Sequence, residues 1–132
     1  MVADDTEMKE LVRSLTDYDS SILTDSELES LLVLSKDEFW ADTDTSARFY
    51  TGNKQADQAL FWLLCLFSKI KVGELDAPAF EIAEIQVDEA SNPEEISRWL
   101  KNYRKYRDNA VTGSKAGIGQ ISRSDRTYQF DN

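Results

Sequence analysis

Apolar residues gather most densely between Ala59 and Phe67, nine in a row without a polar interruption. That run is well short of the roughly 18 residues a membrane-crossing helix needs. A helix that is apolar around its whole circumference must instead be covered on several sides. Two stripes are available, Phe61, Leu64 and Phe67 or Leu60, Leu63 and Leu66, so the pattern predicts a central helix packed by its neighbours. Asn53 caps its start, and Gly73 ends it after Lys69 and Lys71, two cations placed against the carbonyl end of the helix dipole.

The flanking segments read as helices that cover this centre. Met8, Leu11, Val12 and Leu15 form one stripe behind the potential caps Asp4, Asp5 and Thr6. After a turn-rich connector, Thr24-Asp25-Ser26-Glu27 is a capping box, with Leu23 and Leu28 as a hydrophobic staple. The helix it starts carries Leu28, Leu31, Leu32 and Ser35 inward, with Val33 and Leu34 widening the stripe and Phe39 and Trp40 continuing it. Asn92-Pro93-Glu94-Glu95 starts a last helix, expected to run to about Asn109. Ile96, Trp99, Leu100 and Tyr103 face inward there, and Arg98, Lys101, Arg104, Lys105 and Arg107 lie on the other faces.

Two stretches break the helical period. Phe80, Ile82, Ile85 and Val87 sit among the acidic residues Glu81, Glu84 and Asp88, and Ile85-Gln86-Val87-Asp88 alternates as a strand does, which predicts a short extended arm over about 76–91 or, alternatively, a helical turn at Pro78 to Ile82. Beyond Val111 three of the five glycines accumulate and no stripe remains, so the C-terminal segment cannot bury a core of its own. The expected fold is therefore all-α: a small bundle of three to four helices around a buried central helix, with a short extended arm and an extended C-terminal tail. The expected division is an acidic helical domain over 1–109 and a tail over 110–132.

Charge sharpens the division. The formal net charge is −10, yet residues 1–97 hold 22 acidic and 7 basic side chains, whereas residues 98–132 hold 3 acidic and 8 basic. An acidic body of this kind repels nucleic acid, and its pI of 4.4 also suits a high-salt environment. The basic last helix presents either a solvated face or a docking face for something acidic.

Candidate chemistry is sparse. There is no histidine, which removes the commonest general base and zinc ligand, and the one cysteine, Cys65, sits in the apolar run as a packed thiol. Asp42 and Asp44 lack the further ligands and central glycine of a calcium loop. Gly113, Gly117 and Gly119 lack the phosphate-binding spacing. Glu81 with Glu84, and Glu94 with Glu95, read as solvated or dipole-matching acids. No catalytic residue, metal ligand or cofactor site is expected, nor a signal peptide or membrane span.

The order of parts carries a resemblance. Leu-Thr-Asp-Ser-Glu-Leu-Glu-Ser-Leu-Leu (Leu23 to Leu32) opens the domain, and Asp-Gln-Ala-Leu-Phe-Trp-Leu-Leu-Cys-Leu-Phe (Asp57 to Phe67) forms its centre. Lys-Val-Gly-Glu-Leu (Lys71 to Leu75) follows, then the basic aromatic helix, then a tail closing in Ser-Asp-Arg-Thr-Tyr (Ser124 to Tyr128). From Ser20 to Tyr128 this layout resembles the head-to-tail adaptor, or connector, proteins of tailed viruses, and the acidity suits a haloarchaeal host. The first 20 residues depart from it.

The resemblance implies a virion protein at the head-tail junction that forms a homo-oligomeric ring, often of about twelve copies, beneath the portal. Its partners would be the portal protein and a tail-completion protein, with DNA passing through the lumen without sequence-specific binding. Ile118, Ile121, Arg123, Arg126, Tyr128 and Phe130 become portal-docking candidates. Phe80, Ile82, Ile85, Val87, Arg104 and Arg107 become candidates for contact between subunits. The alternative is a small acidic regulatory module that binds protein or DNA through the helix over 93–109.

Overall fold

A computed structural model describes residues 2–77 and 80–118, without the side chains of residue 89 and residues 113–118. Four helices follow one another: α1 (Asp5–Thr16), α2 (Asp25–Thr43), α3 (Lys54–Lys71) and α4 (Pro93–Ile118). The all-α bundle around a buried central helix is what the hydrophobic pattern predicts. Among the described residues there is no strand, and no helix is long and apolar enough to cross a membrane.

Local chemistry sets most helix ends. The Asp4 carboxylate accepts from the Glu7 amide at 2.9 Å, starting α1. In α2 the capping box closes in both directions: the Glu27 amide donates to the Thr24 hydroxyl at 3.1 Å, and the Thr24 amide donates to the Glu27 carboxylate at 2.9 Å. Both staple residues, Leu23 and Leu28, are buried. Replacing Thr24 with alanine should therefore cost about 1 kcal/mol of unfolding free energy, read as a lower urea midpoint at unchanged slope. Asn53 and Asn92 accept from the amides of Ala56 and Glu95, starting α3 and α4. Gly73, at φ 89°, takes the left-handed turn that closes α3, and the Glu74 amide returns to the Lys69 carbonyl at 2.9 Å.

Helix α3 is the hub. It packs most extensively on α4, and also on α2 and α1, while α2 touches both α1 and α4. Leu60, Leu63, Leu64, Cys65, Leu66 and Phe67 are all fully buried, and within the apolar run only Phe61 and Trp62 reach the surface in part. Ile96, Trp99, Leu100 and Tyr103 of α4 face this core as expected.

Several expectations change. Met8 and Val12 are fully buried, but Leu11 and Leu15 remain 42% and 43% exposed. A single short helix resting on α2 and α3 covers only the narrow strip that faces both. Val33 and Leu34 of α2 are likewise exposed and do not widen the stripe. Helix α4 continues past its expected end at about Asn109 to Ile118. Buried Ala110 anchors the extra turns, and each further residue adds one backbone bond at little nucleation cost.

The segment expected to be an extended arm forms two 3-10 turns, Ile82–Glu84 and Val87–Glu89, instead of a strand. Among the described residues no strand lies beside it, so its amides bond to single carbonyls and to side chains: the Gln86 amide donates to the Asp76 carbonyl at 3.3 Å and the Ile82 amide to the Glu38 carboxylate at 2.8 Å. Phe80, Ile82, Ile85 and Val87 pack half-buried against the core.

Candidate interaction surfaces

Three polar clusters tie the helices together. Lys69 sits at the end of α3 with 8% of its surface exposed. Its ammonium lies 3.0 Å from the Glu74 carboxylate, 3.0 Å from the Glu95 carboxylate and 3.4 Å from the Tyr18 hydroxyl. It also stands over the rings of Trp99 and Tyr18, at 4.9 and 5.6 Å from their centroids. Burial alone would lower the Lys69 pKa, but the bonds to Glu95 and Glu74 outweigh it and hold the group more firmly protonated than a free lysine. Burial and the hydrogen bond donated to Glu74 push the Tyr18 phenol up to about 12. Lys69 thus binds connector, α3 and α4 together, a role beyond the dipole match expected of it.

A second cluster fixes α1. The Tyr50 hydroxyl donates to Asp5 at 2.7 Å, and Lys36 reaches the same oxygen at 2.8 Å. The Tyr50 amide donates to Asp57 at 2.9 Å. Asp57 is buried, and its second carboxylate oxygen has no partner among the described residues. Burial raises its pKa above the usual 3.8, so the folded chain holds this proton more tightly than the unfolded chain does. That contribution to stability grows as pH falls from above the raised value to below 3.8. Asp57→Asn should accordingly be neutral or slightly stabilising at pH 7.5, and should flatten the corresponding part of a stability-versus-pH curve measured by urea melts. A loss of more than about 1 kcal/mol at pH 7.5 would contradict this reading.

The third cluster joins α2 to α4. Tyr103 donates to Asp42 at 2.7 Å, and Arg107 reaches the same carboxylate oxygen at 3.0 Å and Asp108 at 2.9 Å. Burial, then the bond to Asp42, raises the Tyr103 pKa. The adjoining hollow of about 480 Å³ is lined by Asp42, Thr43, Arg107, Asp108, Val111 and Thr112, with its charges already paired to one another. Among the described residues no group of three or more acidic or cysteine side chains is arranged to hold a metal ion.

The expected partner residues fall into distinct places. Ile121, Arg123, Arg126, Tyr128 and Phe130 lie outside the described residues; Ile118 ends α4, and its side chain is not described. Phe80 packs edge-to-face on Phe67, with centroids 5.7 Å apart, and has a left-handed backbone at φ 52°. It thus spends much of its apolar surface within its own chain, as do Ile82, Ile85 and Val87. Arg107 is held by Asp42, whereas Arg104 is exposed. Sequence reasoning missed the Lys69 and Tyr50 clusters. The signal available for the first was a lysine directly following an apolar run; the second had no local signal.

Charge is sorted over the surface. Arg98, Lys101, Arg104 and Lys105 are exposed on α4 and make no ion pair among the described residues. The α1–α2 side exposes Glu7, Glu10, Asp17, Asp19, Asp25, Glu29 and Asp37. No protein-family profile, curated protein or solved structure matches this chain.

Proposed function

We propose that this chain is a non-enzymatic assembly protein of the head-to-tail adaptor kind, placed at the head-tail junction of a tailed virus. In this role copies of the bundle form a ring under the portal, the tail beyond α4 docks into the portal, and DNA passes through without being read. The observation that carries the reading is the overrun of α4. Asn109 bonds Gln55, the second residue of α3, at 3.1 Å, and α4 then continues for nine more residues to Ile118. At about 1.5 Å per residue that is roughly 13 Å of helix past the start of α3, leading directly into the portal-docking candidates Ile118, Ile121, Arg123, Arg126, Tyr128 and Phe130. The tail's mixture of aromatic, aliphatic and basic residues suits ordering on a partner, and the acidic body suits a conduit to which DNA does not stick.

The test is co-purification with a portal ring. The full chain is expected to be retained, and a chain ending at Ile118 is expected to lose retention while keeping its helical circular dichroism. Equal retention of the two would remove the docking role from the tail. A second reading, a protein-binding or DNA-binding regulatory module, is favoured by the exposed cations Arg98, Lys101, Arg104 and Lys105 of α4. Neutralising Arg98, Lys101 and Arg104 would then abolish a salt-sensitive DNA affinity; absence of DNA binding by the unaltered chain at low salt rejects its DNA-binding form.

A further inference from the structure

Helices α1 and α4 each turn a run of like charges to solvent, although on α4 exposed Glu94 and Asp108 bracket the cations. In α1 both cations turn toward α2: Lys9 lies 2.8 Å from Glu29 and 3.4 Å from Asp25, and Arg13 lies 4.0 Å from Asp25. What remains outward is Glu7 and Glu10, one helical step apart, with exposed Asp17 just beyond the helix end. Among the described side chains of α4, Arg107 is the cation that turns inward, toward Asp42. Arg98, Lys101 and Lys105, at steps of three and four, form an exposed stripe with Arg104 beside it. The stripe spans about 10 Å along α4, whereas Glu7 and Glu10 span about 5 Å of α1 and Asp17 lies about 10 Å further on.

We propose that the basic face of α4 binds the acidic outward face of α1 on a second copy of this chain. The two faces cannot meet within one chain. Met8 and Val12 hold α1 to the core, Ile96, Leu100 and Tyr103 hold α4 to the core, and both helices turn these charges to solvent. A second copy fits better than nucleic acid for two reasons. Nucleic acid presents its negative charge continuously to the acidic body, whereas another copy, equally acidic overall at −10, offers Glu7 and Glu10 locally, at the same step of three as Arg98 and Lys101. The acidic face is also edged by Leu11 and Leu15, 42% and 43% exposed, over which the aliphatic stems of arginine and lysine can lie. Because each copy contributes a different face to the contact, a pair leaves one face of each kind open. Such a heterologous contact adds further copies and closes into a ring when the rotation per step allows it. The proposal rests on the adaptor reading for that closure and names the contact that would make it.

The test uses the full chain alone. With cysteines at both Glu10→Cys and Lys101→Cys, mild oxidation should give a ladder of covalent multimers beyond the dimer, while either single variant stops at dimers. Native Cys65 is fully buried and does not take part. In sedimentation at low salt, Lys101→Glu with Lys105→Glu should weaken self-association about tenfold, and so should Glu7→Lys with Glu10→Lys. Combining all four reversals in one chain should restore it, which a merely misfolded variant would not do. A double-cysteine chain that gives no ladder overturns the contact, as does a combined variant that stays dissociated. So does loss of DNA binding in the Lys101 and Lys105 reversal with sedimentation unchanged, which assigns the face to nucleic acid. A ladder from a chain that no portal ring retains keeps the contact and removes the adaptor reading. Portal retention without a ladder does the reverse.

Discussion

Replacing Lys69 with methionine is expected to cost about 2–4 kcal/mol of unfolding free energy, one of the two largest single-site losses in the molecule. Methionine keeps much of the aliphatic stem, so the loss reports the ammonium and not an emptied volume. That ammonium is the one cation between Glu74 and Glu95, and it also receives the faces of Trp99 and Tyr18. Without it the two carboxylates and the Tyr18 hydroxyl are left around one unfilled position with no cation to bridge them. Their partial exposure, 42% for the Glu74 side chain and 28% for that of Glu95, lets water soften the penalty and keeps the figure below that of a fully buried pair.

The pH dependence is specific. Lys69 has a folded pKa raised above its ordinary 10.5, and Tyr18 one raised from 10.0 to about 12, so both contribute stability that is complete below the ordinary values. It is lost as pH rises through the folded ones. Glu74, bonded first by Tyr18 and then by Lys69, is held below its ordinary 4.5 and contributes stability that is lost as pH falls through its folded value. The unaltered chain should therefore hold a plateau at neutral pH and weaken above about pH 10, and Lys69→Met should lower the plateau and remove the lysine's share of the alkaline fall, leaving that of Tyr18, which the ammonium no longer holds down. Urea melts between pH 6 and 11 measure both. A variant within about 0.5 kcal/mol of the unaltered chain across that range would show that the cluster contributes nothing net.

What could be read in advance follows from how local each signal is. The starts of α2 and α4 were legible because a capping box and an Asn-Pro-Glu-Glu sequence act over four residues. The centre was legible because only burial on several sides accommodates Ala59 to Phe67. The face of α1 was not, because Met8, Leu11, Val12 and Leu15 share one stripe and the choice among them depends on where α2 and α3 lie. The end of α4 was hidden for a similar reason: glycines after Asn109 disfavour helix, but buried Ala110 carries the helix across that point. The Lys69 cluster draws on residues 18, 69, 74, 95 and 99, and no spacing rule joins positions so far apart. The candidate docking residues were legible as a composition shift only, and those beyond Ile118 lie outside the described residues.

Phe67→Ala should be the most damaging substitution in α3, at about 3–5 kcal/mol. Its ring is fully buried and meets the edge of Phe80 at a 5.7 Å centroid distance and an interplanar angle of 87°. Truncation removes the transfer free energy of the ring, leaves a cavity against Leu-rich neighbours, and forfeits the aromatic pair, worth about 1 kcal/mol beyond its area. It also unseats the segment beginning at Phe80, which covers this side of α3 without any strand or helix of its own longer than a turn. Two controls separate these effects. Phe61→Ala, at a partly exposed position on the same helix, should cost clearly less although it too forfeits an aromatic pair, with Trp62, because part of that ring already faces water. Phe80→Ala should lose the pair and the cover but leave the α1, α2 and α4 packing on α3 in place, so its cost should fall between the other two. If Phe67→Ala cost no more than Phe61→Ala, α3 would not be the buried hub that fixes the outward directions of α1 and α4. The charged faces of those helices depend on that hub, since each is held outward only because its apolar face is committed to the core.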